Sequence, residues 1–142
     1  MKTVKQLLQG KAPGVCSIGP DAPVIDALKK MAEREVGALV VTEGETLVGI
    51  LSERDYARKV ILHGKSSRDT PVREIMTANV VCVSPQRSVE ECMALMTGKR
   101  IRHLPVMEGG KMIGVLSIGD LVKEVISEQQ TMIAQLESYI HS

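Results

Sequence analysis

Two stretches of this sequence are copies of one another. Setting Pro20 beside Pro85 fixes an offset of 65 residues, and that offset holds without a gap through both copies. Val15 then meets Val80, Val24 meets Val89, Met31 meets Met96, Leu39 meets Leu104 and Val41 meets Val106. Glu43-Gly44 falls on Glu108-Gly109, Gly49 on Gly114, Leu51-Ser52 on Leu116-Ser117, Asp55 on Asp120, and Val60-Ile61 on Val125-Ile126. The fold must therefore build the same local structure twice, and a site carried by one copy is a candidate in the other.

Each copy opens on a short extended segment, residues 15–18 or 80–83, that stops near a proline. Val24, Ala27, Leu28 and Met31 then recur at helical spacing, as do Val89, Cys92, Met93 and Met96. Two strands follow. Residues 38–42 and 46–51 flank Glu43-Gly44-Glu45, and residues 104–107 and 112–116 flank Glu108-Gly109-Gly110, both hairpin signals. A second helix starts at Ser52 or Ser117 and is expected to turn Tyr56, Val60 and Ile61, or Leu121, Val122, Val125 and Ile126, inward.

The expected class is α+β: two β-α-β-β-α repeats packed with pseudo-twofold symmetry, plus an extended C-terminal helix. The division is an N-terminal segment 1–14, a first repeat 15–62, a linker 63–79 with a helical turn over 72–76, a second repeat 80–126 and a helical extension 127–142. A repeat of about 50 residues is marginal alone, so the two are expected to share one body. Val122, Val125, Ile126, Met132, Ile133, Leu136 and Ile140 hold a spacing near 3.5 residues, so the last turns need an apolar partner. A second copy of the chain, giving a homodimer, and the helix's own domain both satisfy that need.

Composition narrows the function. The 142 residues are 44% apolar with two Tyr, no Phe, no Trp and a net charge of +1, so the interior is aliphatic and rich in Met. Aromatic platforms and a positive groove, on which single-stranded nucleic-acid binding rests, are missing. No apolar run approaches the roughly 20 residues of a membrane span. Lys2 and Lys5 are followed by Gln6, Gln9 and Lys11 rather than an apolar stretch, which is unlike a secretory signal, and a cytoplasmic protein is expected. Cys16, Cys82 and Cys92 form no Cys-x-x-Cys pair, which disfavours a disulfide framework and a structural zinc site.

The chemistry lies in Gly49-Ile50-Leu51-Ser52-Glu53-Arg54-Asp55 and Gly114-Val115-Leu116-Ser117-Ile118-Gly119-Asp120. Each sets a glycine, a hydroxyl and a carboxylate at a strand-to-helix junction. A carboxylate there can accept hydrogen bonds from a sugar diol, while the hydroxyl and helix N–H groups face a phosphate. The same Ser-x-x-Asp spacing also suits a capping box with no ligand at all. His63, His103 and His141 assemble no catalytic set, and no P-loop, zinc motif or Gly-x-Ser-x-Gly occurs, so no enzyme is expected.

The duplicated Gly-h-h-Ser-x-x-Asp pattern, where h is an apolar residue, resembles CBS domains over about residues 15–126. The runs Ser52-Glu53-Arg54-Asp55-Tyr56-Ala57-Arg58-Lys59-Val60, Val72-Arg73-Glu74-Ile75-Met76-Thr77 and Ile101-Arg102-His103-Leu104-Pro105-Val106 are similar to small stand-alone CBS-pair proteins of bacteria and plant organelles. The resemblance implies a Bateman module: two repeats in pseudo-twofold contact, clefts that bind adenosine-containing ligands, and often a disc-like homodimer. Such a module requires no cofactor. It regulates a protein partner, here unknown, through a bound regulatory ligand.

Carried over by position, Asp55 and Asp120 would bind ribose hydroxyls, with Ser52 and Ser117 contacting ribose or phosphate. Adenine would lie against Ser17-Ile18-Gly19 and Cys82-Val83-Ser84, and against Val36-Gly37-Ala38 and Arg102-His103-Leu104-Pro105. Arg54, Arg102 and His103, with Lys59 and Arg68, are the candidates for phosphate charge. The copies differ, since Glu53-Arg54 becomes Ile118-Gly119 and Gly37-Ala38 becomes Arg102-His103, so unequal sites are expected. AMP, ADP or ATP lead the ligands, with NAD, NADH and S-adenosylmethionine behind. A ligand-independent scaffold, or one that responds to oxidation at Cys16 and Cys82, is the reading from another class.

Overall fold

The structure is a computed structural model that describes residues 2–11 and 14–141. These divide into two compact units, one of residues 14–81 and one of residues 2–11 with 82–141. In the first, β1 (Ser17–Ile18) pairs parallel with β2 (Ala38–Glu43), which pairs antiparallel with β3 (Thr46–Ser52). The helix α2 (Val24–Arg34) joins β1 to β2 and buries Val24, Ala27 and Met31 against Leu39, Val41 and Leu51. Gly44, at φ 60°, opens the two-residue turn between β2 and β3, where a side chain would be strained.

The second unit repeats this plan. Its helix α5 (Val89–Lys99) buries Val89, Cys92 and Met96, and its hairpin β4 (His103–Glu108) and β5 (Lys111–Ser117) turns through Gly109 and Gly110, both at positive φ. Both hairpins carry an irregularity at the same place, after Val41 and after Val106. Both long helices end on a left-handed residue that is not glycine, Glu35 and Arg100.

The copies part at their first strand. Residues 80–83, expected to be extended like 15–18, contribute only a parallel bridge from Val83 to Val106. In the first copy the Val40 N–H donates to the Cys16 carbonyl. The residue equivalent to Val40 is Pro105, which has no N–H to give to the Val81 carbonyl, so the strand pairing does not run back from Val83 as it does in the first copy.

The closing helices also depart from expectation. In the first copy α3 (Glu53–Tyr56) runs into a π-helical turn, Ala57–Ile61, closed by the Leu62 N–H on the Ala57 carbonyl. Val60 within this turn is buried, while Ile61 lies out to solvent. In the second copy the closing helix α6 (Ile118–His141) is regular, and Leu121 and Glu124, three residues apart, are its buried positions. Val122 and Ile126 lie on the exposed side instead of facing inward.

Each unit is completed by the segment that precedes the other copy. The helix α4 (Val72–Ile75) docks in the first unit, with Val72 N–H on Ala22 O at 2.9 Å and Arg73 N–H on Pro20 O at 2.8 Å. The helix α1 (Val4–Gln9) docks identically in the second, with Val4 N–H on Arg87 O at 2.8 Å and Lys5 N–H on Pro85 O at 2.9 Å. Val4 and Val72 are both fully buried. The docking explains the paired glycines. A Cβ on Gly49 would lie 2.6 Å from Met76 Sδ and 3.0 Å from the Thr77 carbonyl, and one on Gly114 would lie 2.6 Å from Leu8 Cδ2.

Candidate functional site

The two Ser-Asp motifs sit where the hairpin hands over to the closing helix, and both form complete capping boxes. Ser52 N–H donates to Asp55 Oδ2 at 2.9 Å and Asp55 N–H to Ser52 Oγ at 3.2 Å. Ser117 N–H donates to Asp120 Oδ2 at 2.8 Å and Asp120 N–H to Ser117 Oγ at 3.2 Å. The cap therefore exists in both copies without a ligand. It engages Oδ2 of Asp55 and leaves Oδ1 to longer contacts, 3.5 Å from the Thr77 hydroxyl and 3.4 Å from Lys59 Nζ.

Strand register brings the hairpin entrance to these motifs. Ala38 lies opposite Ser52 and His103 opposite Ser117. Glu53 N–H donates to Gly37 O at 3.0 Å, and Ile118 N–H to Arg102 O at 2.8 Å. Ser52, Asp55, Gly37 and Ala38 thus form one group, and Ser117, Asp120, Arg102 and His103 another. Ser17 and Ile18 stand on the strand beside β2, opposite Val40 and Val41, and Val83 stands likewise beside Val106. Pro105, on β4, is buried. Arg54, Arg68 and Arg102 are exposed, while Lys59 is drawn inward to donate to the Ile75 carbonyl at 3.0 Å.

Electrostatics separates the copies. Burial alone would raise the Asp120 pKa, but the Lys11 ammonium, 2.7 Å from Oδ2, and the Ser117 N–H more than offset it and hold the carboxyl below its ordinary value. Burial pushes His103 below its ordinary value, helped by Lys11 and Arg102 and opposed by Asp120. Without a ligand His103 is therefore a neutral hydrogen-bonding group near pH 7. Burial pushes the Cys82 thiol up, away from the reactive thiolate. Among the described residues no group of three metal-ligating side chains occurs.

Lys11 contacts the second group through Asp120 and Thr77 the first through Asp55, while Lys2 pairs with Glu124 one turn beyond Asp120; none of the three is among the candidate site residues of the sequence. A signal for them exists upstream of the copies, where Val4-Lys5-Gln6-Leu7-Leu8 matches Val72-Arg73-Glu74-Ile75-Met76 at a second offset of 68 positions. The copies themselves invert a charge, because Lys59 falls on Glu124. That inversion marks a place where the second copy must find its cation elsewhere.

The duplicated hairpin and its helix-capping carboxylate define a tandem-repeat module, and the family model for the CBS domain matches residues 12–62 and 72–127. The chain belongs to the CBS-domain family. It is 46% identical over 125 residues to the mitochondrial CBS domain-containing protein CBSX3 of Arabidopsis thaliana, covering 84% of this chain and 61% of that protein. It is similar in structure to a CBS-domain protein of Burkholderia ambifaria MC40-6 provisionally assigned to signal transduction, with TM-score 0.88, 53% identity, and 90% and 96% of the two chains covered. A hexameric CBS-CP12 protein from bloom-forming cyanobacteria matches with TM-score 0.76 and 30% identity over 86% of this chain and 70% of that one. Proteins made only of CBS domains are generally regulatory rather than catalytic. No helix among the described residues is long and apolar enough to cross a membrane.

Proposed function

We propose that this protein is a non-catalytic sensor of adenosine-containing ligands, with AMP, ADP or ATP bound at the strand-to-helix junction of its CBS copies. Asp55 and Asp120 accept the ribose hydroxyls, Ser52 and Ser117 stand beside them, and adenine lies against the aliphatic and backbone surface of the hairpin entrance. Occupancy favours one arrangement of the module, and a protein partner reads that arrangement; the shift is limited by the ligand's differential affinity for the two states. Cytoplasmic residence suits three cysteines that form no disulfide among the described residues. The exposed apolar stripe of α6 takes a second copy of the chain. Hexamer formation by the cyanobacterial CBS-CP12 protein supports self-association within the family.

One comparison inside the molecule carries the reading. Ser88 and Glu91 form another capping box with a carboxylate, at the start of α5, and its carboxylate side chain is 53% exposed. The carboxylates of Asp55 and Asp120 are only 16% and 24% exposed. A cap alone does not require a charge to be drawn from water, whereas a ligand-binding carboxylate gains strength there.

Calorimetric titration of AMP, ADP, ATP, NAD, NADH and S-adenosylmethionine tests this. Asp55→Ala and Asp120→Ala should each weaken the preferred ligand about tenfold or more, the effect of losing hydrogen bonds to a charged group. Ser88→Ala should lower folding stability by about 1 kcal/mol and leave affinity intact. Unchanged affinity in both Asp variants would overturn the assignment, and a response to oxidation alone would favour a redox-responsive scaffold.

A further inference from the structure

In the first copy the cation nearest the motif belongs to the same helix: Lys59 Nζ lies 3.4 Å from Asp55 Oδ1. In the second copy the equivalent residue is Glu124, a buried carboxylate one turn beyond Asp120, and two like charges at that spacing oppose helix formation. The N-terminal segment supplies both missing cations. Lys2 Nζ lies 3.3 Å from Glu124 Oε2, and Lys11 Nζ lies 2.7 Å from Asp120 Oδ2.

Lys11 does more than neutralise. Its ammonium also donates to the Val115 carbonyl at 2.8 Å. The residue equivalent to Val115 is Ile50, whose carbonyl accepts from the Thr77 backbone N–H at 2.9 Å. A donor that is fixed backbone in the first copy is thus an ammonium on a flexible, 37% exposed stem in the second. An ammonium has three donors, and these two contacts engage two of them.

We propose that Lys11 is a specificity-determining residue of the second-copy site, holding Asp120 while the site is empty and transferring to a phosphate of the incoming ligand. This rests on the reading of Asp120 as a ribose-binding carboxylate. A neutral nucleoside must displace the ammonium from Asp120 and offers it nothing in return. A nucleotide takes the same carboxylate with its diol and gives the ammonium an anionic partner. The second copy therefore selects phosphorylated adenosine ligands over adenosine.

The test titrates AMP and adenosine into the full chain carrying Asp55→Ala, which silences the first copy, with Lys11 intact or replaced. Lys11→Gln should lower the ratio of AMP to adenosine affinity about tenfold, the size of one charge-assisted contact, with adenosine binding as well or better. Lys11→Arg keeps the charge and should keep most of the ratio. An unchanged ratio in Lys11→Gln, with Asp120→Ala still abolishing both ligands, overturns the role of Lys11 and leaves the ribose assignment standing. Affinity for AMP unaffected by Asp120→Ala, or AMP failing to bind the Asp55→Ala chain, removes the second-copy site and the proposal with it.

Discussion

His103 and Asp120 are neighbours whose protons respond to folding in the same sense. His103 falls below its ordinary 6.5 on folding because burial disfavours the imidazolium. Between 6.5 and its folded value, the unfolded chain binds a proton that the native chain does not, so stability falls as the pH falls. Asp120, held below its ordinary 3.8 despite burial, stabilises the fold above that value and loses this contribution at lower pH. We expect the unfolding free energy, measured in urea, to decline from pH 7 to pH 5 with a slope of at most about 1.4 kcal/mol per pH unit from His103. His103→Gln should flatten that decline, and an equally steep profile in the variant would dismiss His103 as its source. Sequence places His103 beside the motif but cannot say that it is neutral, because the burial that neutralises it comes from packing.

At the scale of elements, the duplication makes the hairpins, the two long helices and the Ser-Asp junctions legible, since a constant offset keeps Leu39 with Leu104 and Ser52 with Ser117. Two details are not legible from periodicity. Pro105 ends a strand pairing through an N–H it lacks, and the first copy alone widens its closing helix into a π-helical turn at Ala57–Ile61, although the aligned Ile61 and Ile126 are both exposed. The end of α6 is legible as an amphipathic helix, yet its inward residues are Leu121 and Glu124, and Ile133 and Leu136 remain 55% and 56% exposed. A helix of this kind, exposed throughout residues 129–141, is marginal in water without a partner. Self-association through this stripe predicts a dimer or larger species in sedimentation equilibrium. Ile133→Glu with Leu136→Glu should convert it to monomer while leaving the folded core intact, and a monomeric parent chain, or an unaltered assembly in the variant, would refute the interface.

At the scale of the whole molecule, the exchange of lead-in segments means that neither copy is self-sufficient in sequence. The second unit depends on residues 2–11 for the buried Val4, for Leu8 against Gly114, and for the lysines that neutralise Glu124 and Asp120. Fully burying a Val or Leu side chain is worth about 1.5–3 kcal/mol, and a buried carboxylate that loses its partner costs several more. Deleting residues 2–11 should therefore speed amide hydrogen exchange in residues 82–126 far more than in residues 15–62. An even rise across both would show that the segment does not serve the second unit in particular. Glu124 separates the two contributions. In the shortened chain Glu124→Gln removes a buried charge without a counterion and should recover part of the lost protection, whereas in the full chain the same change breaks the pair with Lys2 and should recover none. If Glu124→Gln gives no recovery in the shortened chain, the apolar docking of Val4 and Leu8 accounts for the whole dependence and the Lys2 pair adds nothing measurable.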